Sequence, residues 1–339
     1  MIDWLTLEIA FAHNPIQSGR VMSINPDGDI DWMTEKRLAV RGSYESSLRL
    51  RSAGSTGEGQ AAFLHIDGNP AKFLNGHNVV GSRDIIDLVD RCIQKIFKEI
   101  GMLYTSDLKQ TILSGDFKVS RIDINQYVEF NSQADALAWQ MAAESVATSR
   151  QGKFVRKGTT IYMGKNSRRV SIKIYSKYLE LTQAKKGHHL PIALPHKQQL
   201  LNYAEKKLRI EITYRSLALK DLNLNMARDL TPQKLGELYA QQVGKLEMNA
   251  QVKLQPQDEM NLPQGLIAPY MLWKDGARLI DVYKKSQFYS HRKALKEYGI
   301  DIKVSPKKLE SNIIPLIRKI EAKPVEMPQW SESVGLIYN

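Results

Sequence analysis

Four segments of this chain alternate apolar and polar residues with a period of two, and most of the polar positions carry charge. In FKVSRIDINQYVEF (117–130), Ile122, Ile124 and Val128 share one face while Arg121, Asp123 and Asn125 share the other. In KLRIEITY (207–214), Leu208, Ile210 and Ile212 oppose Arg209 and Glu211. In AAFLHIDG (61–68), Leu64 and Ile66 oppose His65 and Asp67. In RRVSIKIYSKYLEL (168–181), Val170, Ile172 and Ile174 oppose Ser171, Lys173, Tyr175 and Lys177. A period of two is that of a β-strand, whose side chains point alternately to opposite sides. Such a chain needs a sheet with one face on an apolar core and the other face bearing charge.

The rest of the chain fits around that sheet. Further strands are expected at 3–11, 44–52 and 159–163, with the charged strands spanning 60–67, 119–130, 169–177 and 207–214. Helical spacing marks 84–100, begun by Ser82 or Asp84, then 132–149 and 196–206. Beyond residue 216 the spacing is helical, at 232–249 and 286–298, with Pro-marked linkers at 256–263 and 323–328. The fold class is therefore α+β. A central antiparallel sheet with helices packed on it (1–215, a catalytic-type unit) precedes a mainly helical C-terminal region (216–339).

Charge names the class of partner. The chain carries a net +12, and residues 153–220 hold 16 Lys/Arg against 3 Asp/Glu, which leaves the remainder near neutral. A stretch this basic suits a polyanion, because Lys and Arg release the counterions condensed on a phosphate backbone. A solvated basic surface is the plainer alternative. No run approaches the roughly 18 apolar residues of a membrane span, and the N-terminal MIDWLTLEIAFAH has no Lys or Arg, so it reads as a strand and not as a signal peptide. A single cysteine, Cys92, excludes an internal disulfide and a cysteine-rich zinc site. No GxxxxGK loop followed by Ser or Thr occurs, which removes a P-loop ATPase. A reducing cytoplasm is the expected location.

The polar faces supply candidate chemistry. His65, Asp67, Asp123 and Glu211 could ligate a hard divalent ion, Mg²⁺ or Mn²⁺, that polarises a phosphate. The same residues also suit Arg–Asp and Arg–Glu ion pairs on a one-sided sheet. Tyr175, between Lys173 and Lys177, lies in a field that favours phenolate, a form ordinarily reached near pH ~10, and phenolate can attack a phosphodiester. A strand tyrosine packed on its sheet is the alternative. Tyr162 in GTTIYMG is a second candidate, before the basic turn KNSRR with Lys165, Arg168 and Arg169. His77 sits in a Gly/Asn-rich turn, NGHNVVG, where it could meet a phosphate or simply shape the turn.

The segments NPAKFLNGHNVVGSRDI (69–85), VSRIDINQYVEF (119–130), IKIYSKYLEL (172–181), KLRIEI (207–212) and NIIPLIRKIEAKPVEMPQW (312–330) resemble, in order, the filamentous-phage replication initiators. The pattern TTIYMG…YSK…RIE is also similar to plasmid rolling-circle initiators. The resemblance implies an antiparallel sheet backed by helices. It implies nicking of one strand at an origin by a tyrosine with a divalent metal, leaving a 3′-hydroxyl, and later rejoining of the displaced strand. Origin DNA is then the partner, with the host helicase, polymerase and single-strand-binding protein, and no membrane. Arg121 and Asp123 match an Arg-x-Asp strand, Tyr175 and Lys177 a Tyr-x-Lys element, and Arg209 and Glu211 an Arg-x-Glu strand. A His-hydrophobe-His metal pair is absent, and His65 stands where related sequences place an acid. Phosphate contacts are expected from Lys165, Arg168, Arg169, Arg121, Arg209 and His77. A DNA-binding regulator without catalysis is the rival expectation.

Overall fold

The computed structural model describes residues 1–16, 19–149, 152–183, 189–244, 247–248, 262–296, 298, 300–303, 328 and 330. Its strands are β1 (Ile2–His13), β2 (Arg20–Ile24), β3 (Ile30–Glu35), β4 (Leu38–Arg41), β5 (Ser47–Ala53), β6 (Ala61–Gly68), β7 (Lys118–Glu129), β8 (Ala147–Ser149), β9 (Gly152–Lys153), β10 (Val155–Lys157), β11 (Thr160–Met163), β12 (Val170–Tyr175), β13 (Lys207–Arg215) and β14 (Glu247–Met248). Nine of them form one sheet in the order β10-β11-β12-β13-β7-β1-β6-β5-β4, and every neighbouring pair is antiparallel. The expected α+β fold with a central antiparallel sheet is the observed one. A mainly helical region follows it.

One face of the sheet is apolar, as the alternation requires. Leu5, Leu7 and Ile9 of β1, Ile122 and Ile124 of β7, and Leu208, Ile210 and Ile212 of β13 are all buried in the main core. The long helix Ile85–Ile100 contributes to the same core. Asp84 starts it, its carboxylate accepting from the N–H groups of Ile86 and Asp87, and Gly101 ends it in the left-handed region. Its buried side, Ile85, Leu88, Val89, Cys92, Ile93, Ile96 and Phe97, recurs at helical spacing. Each such large apolar side chain contributes roughly 1.5–3 kcal/mol on burial. Cys92 is thus a core residue with a buried thiol.

Several boundaries differ from those the alternation suggests. The strand expected at 44–52 begins only at Ser47, because Ser43–Glu45 forms a 3-10 turn with Tyr44 at φ 50. The strand expected at 169–177 stops at Tyr175, and Ser176 accepts from the Leu179 N–H (3.3 Å) to start a helix at Lys177–Gln183. The helix expected at 132–149 ends at Val146 and passes into β8, and that at 232–249 ends at Gly244 before β14. The expected helix at 286–298 is Lys285–Lys296. It packs with the helix Gln264–Lys274 in a small separate core of Leu262, Tyr270, Trp273, Leu279, Phe288, Leu295, Ile300 and Ile302. The resembling segment 312–330 lies outside the described residues except for Pro328 and Trp330. None of the helices among the described residues is long and apolar enough to cross a membrane.

Candidate active site

Register decides what the polar face of the sheet brings together. Residues opposite one another in a ladder share a face. Tyr162 of β11 faces Lys173 of β12, Lys173 faces Glu211 of β13, and Glu211 faces Asn125 of β7. One step along, Ser171, Thr213, Asp123 and Trp4 form the next row. Then come Arg215, Arg121, Thr6, Asp67 and Arg49, and beyond them Lys118, Glu8, His65 and Arg51. The four strands read as one-sided are therefore parts of one charged face.

That face is buried at its centre. Asp123, Asn125, Arg209, Glu211 and Thr213 are each no more than 1% exposed. The segment 77–80 lies over Arg209 and the helix Lys177–Gln183 packs on β13, with a small apolar cluster of Val79, Val80, Leu181, Leu190, Leu194, Leu200 and Ala204 behind. The segment is pinned from below. Arg209 donates to the carbonyls of Asn78 and Val79 (3.1 Å for Val79), to the Tyr127 hydroxyl (2.6 Å) and to Asp3 (3.4 Å). Tyr127 in turn donates to the Val79 carbonyl (3.0 Å), and Asn78 donates to Asp3 (2.7 Å).

Asp3 is a carboxylate that alternation hides. Ile2 points into the core with Leu5 and Leu7, so strict alternation would not turn Asp3 and Trp4 both to the polar face. The register shifts between Ile2 and Trp4, which pair with Ile124 and Asp123. This bulge inserts one residue and re-aims Asp3 toward Arg209. Burial alone would raise the Asp3 pKa, but Arg209, Lys177 and the Asn78 hydrogen bond outweigh it and hold the group below its ordinary value.

Glu211 has the opposite balance. Burial, with the charges of Asp3 and Asp123, raises its pKa above the ordinary carboxylate range against the pull of Lys173. Its Oε1 takes an ion pair from Lys173, and its Oε2 accepts from the Tyr175 hydroxyl (3.2 Å). Tyr175 is buried, and that burial raises its pKa well above the ordinary phenol value although Arg209 opposes. The expected depression by two flanking lysines is thus corrected. Lys173 is engaged by Glu211, and Lys177 has left the strand for the first turn of the next helix, where it pairs with Glu180. Burial and Arg209 lower the Lys177 pKa.

Other expected residues divide by accessibility. Lys165, Arg168 and Arg169 are exposed on the turn between β11 and β12, with Lys165 lying over the Tyr162 ring (5.3 Å) and Arg169 paired to Asp221. Arg121 is half-buried and grips Asp123 with two hydrogen bonds (2.8 and 2.6 Å). Two of the expected phosphate contacts are buried in this structure. Arg209 is enclosed and fastens the covering segment, and His77 is wholly buried. The His77 Nδ1 accepts from the Val79 N–H (3.3 Å), while its Nε2 has no partner among the described residues. Burial first, then Lys177 and Arg209, push His77 down to about 4.

The four expected metal ligands do not converge. His65 pairs with Glu8 (2.9 Å), and Asp67 is held by Thr6 (2.6 Å), Trp4 (3.0 Å) and Arg37 (2.9 Å). They lie on β6, beyond β1 and β7 from Glu211. Among the described residues no three His, Cys, Asp or Glu side chains gather to hold one ion. Asp123 and Glu211 do sit on adjacent strands, one same-face step apart: Glu211 faces Asn125, and Asp123 faces Thr213. Both side-chain polar atoms of Asn125 are buried without a partner among the described residues, an unusual cost of about 1–3 kcal/mol for each. Asp123, Glu211 and the orphaned amide oxygen are hard donors of the kind Mg²⁺ or Mn²⁺ takes, but Arg121 holds both oxygens of Asp123, and Lys173 and Tyr175 hold those of Glu211.

Sequence reasoning also missed the arginines of the far edge. Arg41, Arg49 and Arg51 of β4 and β5 extend the charged face past Asp67 and His65. The run SLRLRSA carries the alternation that could have found Arg49 and Arg51.

Comparison with known proteins agrees over both ends of the chain. Residues 1–233 match a family described as the N-terminal part of a replication-associated protein, and residues 254–337 match the family described as the C-terminal part of the same protein. The replication-associated protein of Enterobacteria phage I2-2 is 39% identical over 335 residues, covering 98% of this chain and 97% of its own length.

Proposed function

The chain belongs to the replication-associated protein family of filamentous-phage replication initiators, and from that premise we propose that it nicks one strand of origin DNA with Tyr175. The observation that carries the reading is the hydrogen bond from the Tyr175 hydroxyl to Glu211, a buried carboxylate of raised proton affinity. Such a carboxylate is matched to take a proton near neutral pH.

In this reading Glu211 Oε2 accepts the Tyr175 proton as the phenolic oxygen attacks the scissile phosphorus. The bond from phosphorus to the 3′ oxygen breaks, and that oxygen takes up a proton to become the 3′-hydroxyl. The 5′ phosphate stays on Tyr175 as a diester of conserved energy, so rejoining is the reverse attack by a 3′-hydroxyl and needs no nucleotide cofactor. Lys173 holds Glu211 in place from the other side. Lys165, Arg168 and Arg169 are exposed for the DNA backbone. A divalent cation held by Asp123 and Asn125 would have to displace Arg121 and, when bound, would supply charge neutralisation at the scissile phosphate, leaving Glu211 as the proton acceptor. Because Tyr175 is 6% exposed, DNA must displace the cover formed by segment 77–80 and the helix Lys177–Gln183 before attack.

The test is a nicking assay on supercoiled origin DNA with Mg²⁺ or Mn²⁺. Wild type should give nicked circles and a covalent adduct. Tyr175→Phe should lose both while binding DNA as before. Adducts that persist in Tyr175→Phe would reassign the nucleophile to Tyr162, which lies half-buried on the same face beside Lys173. A chain that binds the origin but never nicks it, with either metal, is the non-catalytic regulator instead.

A further inference from the structure

Beside the buried centre of the polar face runs an open groove of about 680 Å³. Its lining includes Trp4, Tyr44, Lys72 and His189, and the segment Pro191–Ala193 forms one rim, with Ile192 96% exposed. Trp4 is the junction between groove and site. It follows Asp3 in sequence, faces Asp123 in the ladder and carries the Arg121 guanidinium over its ring at 5.1 Å. Its indole N–H donates to Asp67, which fixes the plane of the ring.

Tyr44 is held there under strain. Its φ of 50 places a non-glycine residue in the left-handed region, where its Cβ meets the following carbonyl. Its ring lies against Gly76, itself at φ +78, so closely that a Cβ at Gly76 would stand 2.3 Å from the ring. The strained backbone thus keeps an aromatic ring, 39% exposed, on the groove wall. Basic residues line the approach. Lys72 is in the wall, and Arg41 and Arg49 flank the groove residue Ser47 on the same sheet face.

Two fixed aromatic rings beside a basic track form a stacking platform for unpaired bases, since every base offers a π-face and the phosphates follow the cations. Paired bases present only their edges and cannot stack there. We propose that this groove holds bases of single-stranded DNA next to the scissile phosphate, stacked on Trp4 and Tyr44. The identification of DNA as ligand rests on the proposed function; the groove itself requires no catalysis.

Binding without metal therefore tests it apart from nicking. The probes are a short oligothymidylate and an abasic oligomer of the same length and charge. Wild type should bind the oligothymidylate about tenfold or more tightly than the abasic strand. Trp4→Leu should lose most of that preference, and so should Tyr44→Asn, which tolerates the left-handed backbone, while affinity for the abasic strand stays unchanged. Oligothymidylate should also quench tryptophan fluorescence in wild type, and less so in Trp4→Phe. If wild type does not distinguish the two strands, or if both variants keep the full preference, the groove does not hold bases. In either case the Tyr175→Phe nicking result stands by itself.

Discussion

Replacing His77 by Gln should flatten part of the acid lability of this fold. In the unfolded chain an imidazole titrates near pH ~6.5, while burial first, and then Lys177 and Arg209, hold His77 at about 4 in the folded protein. Between these values the unfolded chain binds a proton that the folded chain refuses. The contribution of His77 is therefore intact above its unfolded pKa and is lost as pH falls toward the folded one. Integrated from pH 7 to pH 4, a depression of this size removes about 3 kcal/mol of stability, a large part of a typical 5–15 kcal/mol total. Glutamine keeps a polar side chain of similar reach but does not titrate. Urea unfolding of both proteins at pH 7 and pH 4 gives the comparison. Between those pH values wild type should lose about 3 kcal/mol more than His77→Gln. Equal losses would show that His77 charges freely in the folded state, and that the covering segment does not enclose it as described.

Arg209→Met should destabilise by about 3–5 kcal/mol, because it takes the counter-charge from buried Asp3 and the donor from the Asn78 carbonyl; chemical denaturation measures it, and Asp3→Asn in the same chain should recover part of the loss. Gly76→Ala should cost about 2–3 kcal/mol, from the left-handed backbone together with the collision with the Tyr44 ring, seen as a lower melting temperature. Arg169→Ala, at an exposed turn, should leave stability within about 0.5 kcal/mol of wild type and reduce the salt dependence of DNA binding by about one counterion.

The sheet was legible because its strands keep a strict period of two where both faces have a definite environment. The pairs Arg121/Asp123 and Arg209/Glu211 could be placed on one side from letters alone. Asp3 could not, since a bulge breaks the alternation that would have revealed it. Lys177 was misplaced for a related reason: nothing in IKIYSK marks the end of the strand except Ser176, whose capping role depends on the helix that follows. The cover over the site was illegible, because NGHNVVG reads as a turn and only the fold sets it above Arg209. The same cover explains why Tyr175 resists ionisation where local charge alone argued the reverse.

The order of the strands has a consequence for synthesis. The last strand of the large sheet to leave the ribosome, β13, takes a central place between β7 and β12. Until it arrives, those two strands have no partner on their inner edges, and Tyr175 has no carboxylate to meet. Such long-range pairing is slow to close, and it makes the site the product of a finished sheet. A nascent chain shorter than residue 211 carries the tyrosine but lacks the group proposed to activate it, so the proposed chemistry would wait for the finished sheet.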